Sequence, residues 1–141
     1  MKTVVRELPP GNTRCARSQS FADFEYLLVD DCSTDRSREI LESYLIDPRV
    51  RVLETGRNRG PYAAANVALA QAQGDYIARM DADDLSLPHR LALQKEYLDG
   101  HPEVGLLGTA YRFIDTLGGR RGRFRRGAGF LDDPEADGAS R

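Results

Sequence analysis

The chain has 141 residues, of which 40% are hydrophobic, and a formal net charge of −2. This length fits one modest globular domain, and the small net charge gives no general attraction to nucleic acid or to anionic membranes. Cys15 and Cys32 lack the spacing of a disulfide scaffold or a zinc site, which favours a reducing, cytoplasmic location. No apolar run approaches the roughly 20 residues of a membrane-spanning helix. Peripheral membrane contact and the oligomeric state stay open.

Residues 1–20 are expected to form an irregular leader. The pair Pro9-Pro10 interrupts any regular element, and the segment has no sustained apolar period. The aromatic and aliphatic run Phe24–Val29 then predicts a buried strand. Two carboxylates, Asp30 and Asp31, follow directly at the end of this strand.

The rest of the chain alternates between helix and strand. In chain order, the predicted elements are a helix capped by Ser33–Asp35, an edge strand at Arg49–Glu54, an alanine-rich helix from Pro61 to Gln73, a buried strand at Tyr76–Met80, a helix that follows Ser86, and strand character from Val104 to Ile114. This alternation predicts an α/β fold with a mainly parallel sheet flanked by helices and right-handed crossovers.

The strand at Tyr76–Met80 runs into a second acidic cluster, Asp81-Ala82-Asp83-Asp84. Side chains alternate along an extended chain, so Asp81 and Asp83 point the same way and could direct hard oxygen ligands at one Mg²⁺ or Mn²⁺ ion. A phosphorylated substrate would complete the coordination of such an ion. The alternative is that these acids only stabilise the N-terminus of the next helix, where Ser86 is a plausible N-cap. The D-x-D spacing by itself does not decide between the two.

Both acidic clusters lie at carboxyl ends of predicted strands. In open α/β sheets ligands bind outside these ends, so Asp30-Asp31 and Asp81–Asp84 are expected to meet in space. Capping explains each cluster separately but does not explain their shared edge, which favours a binding site. Arg79 interrupts the strand on the same face as Asp81 and either pairs with an anion or lies exposed on a thinly covered face.

The C-terminal part of the chain differs in composition. Gly118-Gly119 predicts a hairpin that joins Tyr111–Asp115 to Arg121–Arg126, and the second arm is rich in arginine. These arginines could contact phosphate or an anionic surface, but a charge run of this kind is more often a solvated arm. The small and polar residues from Gly127 onward predict disorder.

Several kinds of chemistry use acidic residues at strand ends. In a nucleotide-sugar transferase one cluster binds the base and the other holds a metal on the diphosphate. A phospho-acceptor receiver module also has an LLVDD-like first strand, but it needs a lysine on a late strand, and this chain contains only Lys2 and Lys95. A phosphohydrolase with Asp81 as nucleophile and Asp83 as acid fits less well, because Asp84-Leu85 stands where a small turn and a hydroxyl would be expected.

Three segments in order carry a more specific resemblance. They are FADFEYLLVDDCSTDRSREIL, RNRGPYAAANVALAQAQGDYIARMDADDLSLPHRL and HPEVGLLGT. Together they resemble the nucleotide-binding half of family 2 glycosyltransferases with the GT-A (Rossmann-like) fold, over about Gln19 to Asp115. The resemblance implies a nucleotide-sugar-binding domain at residues 21–117, preceded by the leader 1–20 and followed by the arginine-rich arm and tail at 118–141.

The resemblance also implies roles for individual residues in an inverting transfer from a UDP- or GDP-linked sugar. Asp30 would contact the base, with Asp31 nearby, and Asp81 would face the ribose or sugar. Asp83, together with Asp81, would bind Mn²⁺ or Mg²⁺. Arg57 and Asn58 lie in the loop that flanks the nucleotide in this family. The donor sugar, the acceptor and the catalytic base are not identified.

Two departures from the family pattern lead to a further expectation. Family members usually begin with a strand resembling VSVVIPTYN and a helix, which the leader MKTVVRELPPGNTRC does not resemble, so the first strand is expected to be missing. The acceptor-side base lies well downstream in such enzymes, and Asp115 is too early to take that role. A general base typically raises the reaction rate about 10²–10⁴-fold. Because that base is not found here, this chain alone is expected to be a weak or inactive transferase. The alternative is a non-catalytic nucleotide-binding remnant or a receiver-like phospho-acceptor signalling module.

Overall fold

The computed structural model describes residues 2–6, 18–81, 84–114 and 120–125. The secondary-structure elements are β1 (Lys2–Arg6), β2 (Glu25–Asp30), α1 (Ser37–Glu42) with a 3₁₀ turn (Ser43–Ile46), β3 (Val50–Glu54), α2 (Pro61–Gln71), β4 (Ile77–Met80), α3 (Arg90–Gly100), β5 (Tyr111–Ile114) and β6 (Arg120–Arg125). The chain forms two compact units, Met1–Leu91 and Ala92–Arg141, whose boundary differs from those expected after residues 20 and 117.

The first unit is built on a four-stranded parallel sheet with the strand order β3-β2-β1-β4. α1 lies between β2 and β3, and α2 lies between β3 and β4, because parallel strands of one sheet need a crossover connection. The predicted parallel α/β sheet is confirmed, and so is the edge position of the third strand. Chain order runs outward from β1 to β3 and then returns to the other side of β1 at β4.

The leader prediction was wrong for Lys2–Arg6. These residues form β1, which pairs with β2 on one side and with β4 on the other. The expectation that the first strand is missing is therefore wrong as well. The proline pair lies after the strand, so it does not interrupt the strand's pairing. Residues 7–17 of the expected leader lie outside the described residues.

Alternate residues of β2 enter two separate hydrophobic clusters. Tyr26 and Leu28 pack on one face of the sheet with Leu41 of α1 and Leu91 of α3. On the opposite face, the cluster contains residues from β2 and α2: Leu27, Val29, Ala64 and Ala68. All of β2 is inaccessible apart from its first residue. The strand that delivers Asp30 is thus fixed from both sides.

The helix α2 contacts the sheet through alanine. Ala64 and Ala68 are completely buried against Leu27 and Val29, four residues apart on one face of the helix. Their small side chains let the helix approach the strand closely. The preceding Gly60 has a φ of 82°, which places it in the left-handed region that L side chains rarely adopt.

The predicted C-terminal hairpin is confirmed in the second unit. Tyr111–Ile114 pairs antiparallel with Arg120–Arg125. The strand predicted from Val104 is shorter than expected, since β5 begins at Tyr111, and it belongs to this hairpin instead of the parallel sheet. The turn at residues 115–119 and the tail beyond residue 125 lie outside the described residues. Within the described ranges, no helix has the length and apolar character needed to cross a membrane.

Close packing of α2 makes its buried alanines sensitive to size. Ala68→Leu is expected to lower the free energy of unfolding by about 1–3 kcal/mol, because extra methyl groups have no space against Val29. Ala70 is exposed on the same helix, and Ala70→Leu should stay within about 0.5 kcal/mol of the original chain. Chemical denaturation of the two variants measures the difference. Equal effects would show that α2 is not packed through Ala68.

Candidate functional site

The two acidic clusters lie at one edge of the parallel sheet. Met80, the last residue of β4, pairs with Val5, and Val29 pairs with the next residue, Arg6. Asp81 and Asp30 follow these positions, so both come at the carboxyl ends of strands that flank β1. Two strand spacings separate the backbones of β2 and β4, roughly 9.5 Å. The strand order reverses between β1 and β4, which is the position where open α/β sheets bind ligands.

Asp30 ends β2 and is 2% exposed. Its Oδ1 accepts hydrogen bonds from the backbone N–H of Ser33 at 3.0 Å and from the Ser33 hydroxyl at 2.6 Å. Both bonds reach one oxygen and close the turn that follows the strand. Cys32, inside this turn, has a φ of 59°. The turn after β2 therefore holds the Asp30 carboxylate in one orientation.

Asp31 is completely buried. The Thr55 hydroxyl donates to its Oδ1 at 2.6 Å. The backbone N–H of Arg59 lies 3.0 and 3.2 Å from the two carboxylate oxygens, and the N–H of Gly60 donates to Oδ2 at 2.7 Å. A buried carboxylate is costly unless it is hydrogen-bonded, and here it is satisfied by the loop that follows β3.

The loop Thr55–Gly60 is therefore anchored at both ends to the first acidic cluster. Its first residue is also bound through its backbone, since the N–H of Thr55 donates to the Asp30 carbonyl at 3.2 Å. Between these anchors, Arg57 and Asn58 are exposed. The structure thus brings four of the predicted site residues to one loop system: Asp30, Asp31, Arg57 and Asn58.

In the second cluster, the side chain of Asp81 is half-exposed. Arg79 donates to its Oδ1 at 2.9 Å. The sequence left open whether Arg79 pairs with an anion or lies exposed. Both hold, because its guanidinium is paired with Asp81 and its side chain is 53% exposed. Asp83, the predicted metal ligand, lies outside the described residues. Among residues that the structure does describe, no group of three His, Cys, Asp or Glu side chains could hold a metal ion.

The chain after the acidic cluster is held by polar contacts that the sequence did not indicate. Arg90, at the start of α3, donates to the Arg79 carbonyl at 2.9 Å. Burial lowers the pKa of the Arg90 guanidinium below its usual value, while the charge of nearby Asp84 opposes this shift. Ser86, the expected N-cap, instead accepts a hydrogen bond from Gln19, and the helix begins later at Arg90. Contacts of single polar residues such as these leave no periodic pattern in the sequence, so they could not be predicted from it.

Known proteins are similar to most of this chain. An uncharacterized glycosyltransferase of Haemophilus influenzae is 39% identical over 102 residues, covering 72% of this chain and 40% of that protein. The succinoglycan biosynthesis protein ExoO of Rhizobium meliloti is 37% identical over 97 residues, covering 69% and 26%. The chain thus spans well under half the length of these relatives.

Solved structures superpose on much of this chain. The mannosyltransferase PcManGT from Pyrobaculum calidifontis, in complex with GDP-Man and Mn²⁺, superposes with a TM-score of 0.70 at 25% identity, covering 79% of this chain and 35% of that one. S. aureus TarS 1–349 in complex with UDP-GlcNAc gives a TM-score of 0.66 at 25% identity, covering 80% and 40%. The fold is that of GT-A glycosyltransferases. The family model for glycosyl transferase family 2 matches residues 12–137, and the chain belongs to this family.

Proposed function

We propose that this chain binds a nucleotide-diphosphate sugar at the carboxyl edge of β2, β1 and β4, and that it supplies the donor half of an inverting glycosyl transfer. The single observation that supports this most strongly is the parallel pairing of β1 with both neighbours, which brings Asp30 and Asp81 to the same edge of the sheet, one register position apart, at the point where strand order reverses. The two solved relatives bind UDP-GlcNAc and GDP-Man, so a UDP- or GDP-linked sugar is the proposed donor.

Asp30 is proposed to recognise the nucleobase. Its carboxylate is fixed by Ser33 through Oδ1. A carboxylate held in this way presents an acceptor to the N–H groups of a base without first losing side-chain freedom. Asp31 fixes the neighbouring loop through its hydrogen bonds. The resemblance implies a position of Asp31 near the base that Asp30 would contact, and this position of Asp31 is part of the proposal.

The loop Thr55–Gly60 is proposed to cover the nucleotide. Its backbone is tied to Asp31 at Arg59 and Gly60, which leaves the side chains of Arg57 and Asn58 exposed between the anchors. A guanidinium suits phosphate recognition because it is always charged and can donate two parallel hydrogen bonds.

Asp81 and Asp83 are proposed to hold Mn²⁺ or Mg²⁺. The Asp81 carboxylate fits this role because it is half-exposed at the sheet edge and because carboxylate oxygens are the ligands that these ions prefer. Its hydrogen bond from Arg79 is accepted by Oδ1. Such an ion would neutralise charge that builds on the leaving nucleoside diphosphate. The part of Arg79 is to keep the Asp81 carboxylate oriented toward this edge.

The receiver alternative loses support from the positions of the lysines. Lys95 lies within α3 and pairs with Asp99 at 2.5 Å, whereas a receiver needs a lysine on a late strand. Lys2 opens β1 and so lies at the amino end of the sheet, away from the acidic edge. Labelling of an aspartate by acetyl phosphate would revive this alternative.

The donor site is tested by calorimetric titration with UDP and GDP, each with and without Mn²⁺. One nucleotide is expected to bind more tightly with the ion, and Asp83→Ala should weaken that metal-dependent binding at least about tenfold, because a ligand to the ion is lost. Asp75 is exposed in the turn before β4 and serves as a matched control, since Asp75→Ala should leave binding unchanged. Metal-independent binding, or equal loss in both variants, would contradict the proposed site.

The anchoring role of Asp31 predicts a combined loss of stability and binding. Asp31→Asn replaces one acceptor oxygen with a donor that faces the N–H groups of the loop, so the free energy of unfolding should fall by about 1–3 kcal/mol. Nucleotide affinity should fall with it, because Arg57 and Asn58 lose their fixed presentation. The measurements are chemical denaturation and calorimetry.

Asp75→Asn is the control for Asp31→Asn, because it removes the same charge from an exposed turn. It should stay within about 0.5 kcal/mol of the original chain. Unchanged stability of Asp31→Asn would mean that the loop does not depend on this carboxylate.

A further inference from the structure

Gln19 is a buried amide outside the predicted site residues. It is 7% exposed and lies in the segment that precedes β2. Its Nε2 donates to the Leu87 carbonyl at 2.8 Å and to the Ser86 hydroxyl at 3.3 Å. Its Oε1 accepts from the backbone N–H of Leu91 at 3.1 Å. One side chain thus binds both ends of the segment Ser86–Leu91, using its donor and its acceptor at once.

The neighbouring residue binds the same segment. The backbone N–H of Ser20 donates to the Pro88 carbonyl at 2.8 Å, and the Ser20 hydroxyl lies 3.1 Å from Nδ1 of His89. These contacts join parts of the chain that are 67–72 residues apart. Together, Gln19 and Ser20 form a clamp on the chain between the second acidic cluster and α3.

The clamped segment is continuous with the residues proposed to hold the metal. Asp84 begins the described chain after Asp83, and its N–H donates to the Asp81 carbonyl at 3.2 Å. At the other end, Arg90 donates to the Arg79 carbonyl. Movement of the segment 84–91 would therefore be transmitted to both sides of the acidic cluster.

We propose that Gln19 is a positioning residue for the metal-binding end of the donor site. It fixes the segment 84–91, which directly follows the residues proposed to hold the metal and is hydrogen-bonded to Asp81 and Arg79. This inference rests on the proposed function and adds to it a residue outside the proposed ligand-binding set. Residues that orient metal ligands typically change metal affinity 10- to 100-fold when they are replaced.

The test compares Gln19→Met with Gln94→Met. Methionine keeps the length of glutamine and removes both its donor and its acceptor. Gln94 is a matched control, because it is a buried glutamine in α3 whose Nε2 donates to the Leu107 carbonyl. Two readouts are needed: amide hydrogen exchange of the ligand-free chain, and calorimetry with the tighter-binding nucleotide, with and without Mn²⁺.

Gln19→Met should increase amide exchange within residues 84–91, and it should weaken Mn²⁺-dependent nucleotide binding about tenfold while changing metal-independent binding less than about twofold. Gln94→Met should change neither readout. Unchanged exchange at 84–91 would overturn the inference, as would an equal effect of Gln94→Met. If the original chain shows no Mn²⁺-dependent binding, the proposed function fails, and hydrogen exchange still decides whether Gln19 holds the segment.

Ser86→Ala provides a milder variant in case Gln19→Met does not fold. It removes one acceptor of the Gln19 amide and leaves the two backbone contacts in place. Exchange at 84–91 should rise in this variant, but less than in Gln19→Met. No change in Ser86→Ala, combined with global unfolding of Gln19→Met, would show that Gln19 supports the whole unit and not this segment.

Discussion

The pairing of β1 on both of its edges is the constraint on which the rest of the structure depends. A strand inside a sheet satisfies its backbone N–H and C=O groups through its two neighbours, so Lys2–Arg6 holds β2 and β4 in fixed parallel register. That register aligns the carboxyl ends of the two strands. Without the central strand, the acidic clusters after Val29 and Met80 would have no common edge.

Buried polar anchors then convert this edge into a defined surface. Asp31 binds the loop after β3, and Gln19 binds the segment after the second acidic cluster. Each anchor is nearly or completely buried, and each binds backbone groups of the neighbouring segment. In the loop after β3, the side chains of Arg57 and Asn58 stay exposed. Removal of such an anchor leaves buried donors or acceptors without partners, which costs more than the net gain from forming the bond. The loops on either side of the candidate site are thereby held by buried side chains.

Much of the fold could be predicted from local patterns, and the exceptions have physical causes. Composition and hydrophobic period are enough to predict the apolar strand β2 and the alanine-rich helix α2. Local patterns predict an irregular leader at Lys2–Arg6, because five residues followed by prolines carry little local signal. A central strand is instead defined by partners far along the chain. The pattern over Val104–Ile114 predicts a longer strand than the structure contains for a related reason, since strand character does not specify which partner a segment pairs with.

The candidate site shows the same division between local and long-range information. The positions of Asp30 and Asp81 followed from alternation and from the rule for carboxyl ends. The role of Asp31 as an anchor for the loop after β3 could not be predicted from the sequence. Adjacent aspartates point to opposite faces, and only the folded chain places Thr55 beside one of them. Gln19 gave no signal, since its partners lie 67–72 residues away.

The shared edge of β2 and β4 can be tested directly by paramagnetic broadening of backbone amide signals. Mn²⁺ would be titrated into the isotopically labelled chain in the presence of the tighter-binding nucleotide. Broadening is expected at Ser33, after β2, and at Asp84, after β4, and both effects should disappear in Asp83→Ala. Broadening at Asp84 alone, with the signal of Ser33 unaffected, would contradict a single cleft.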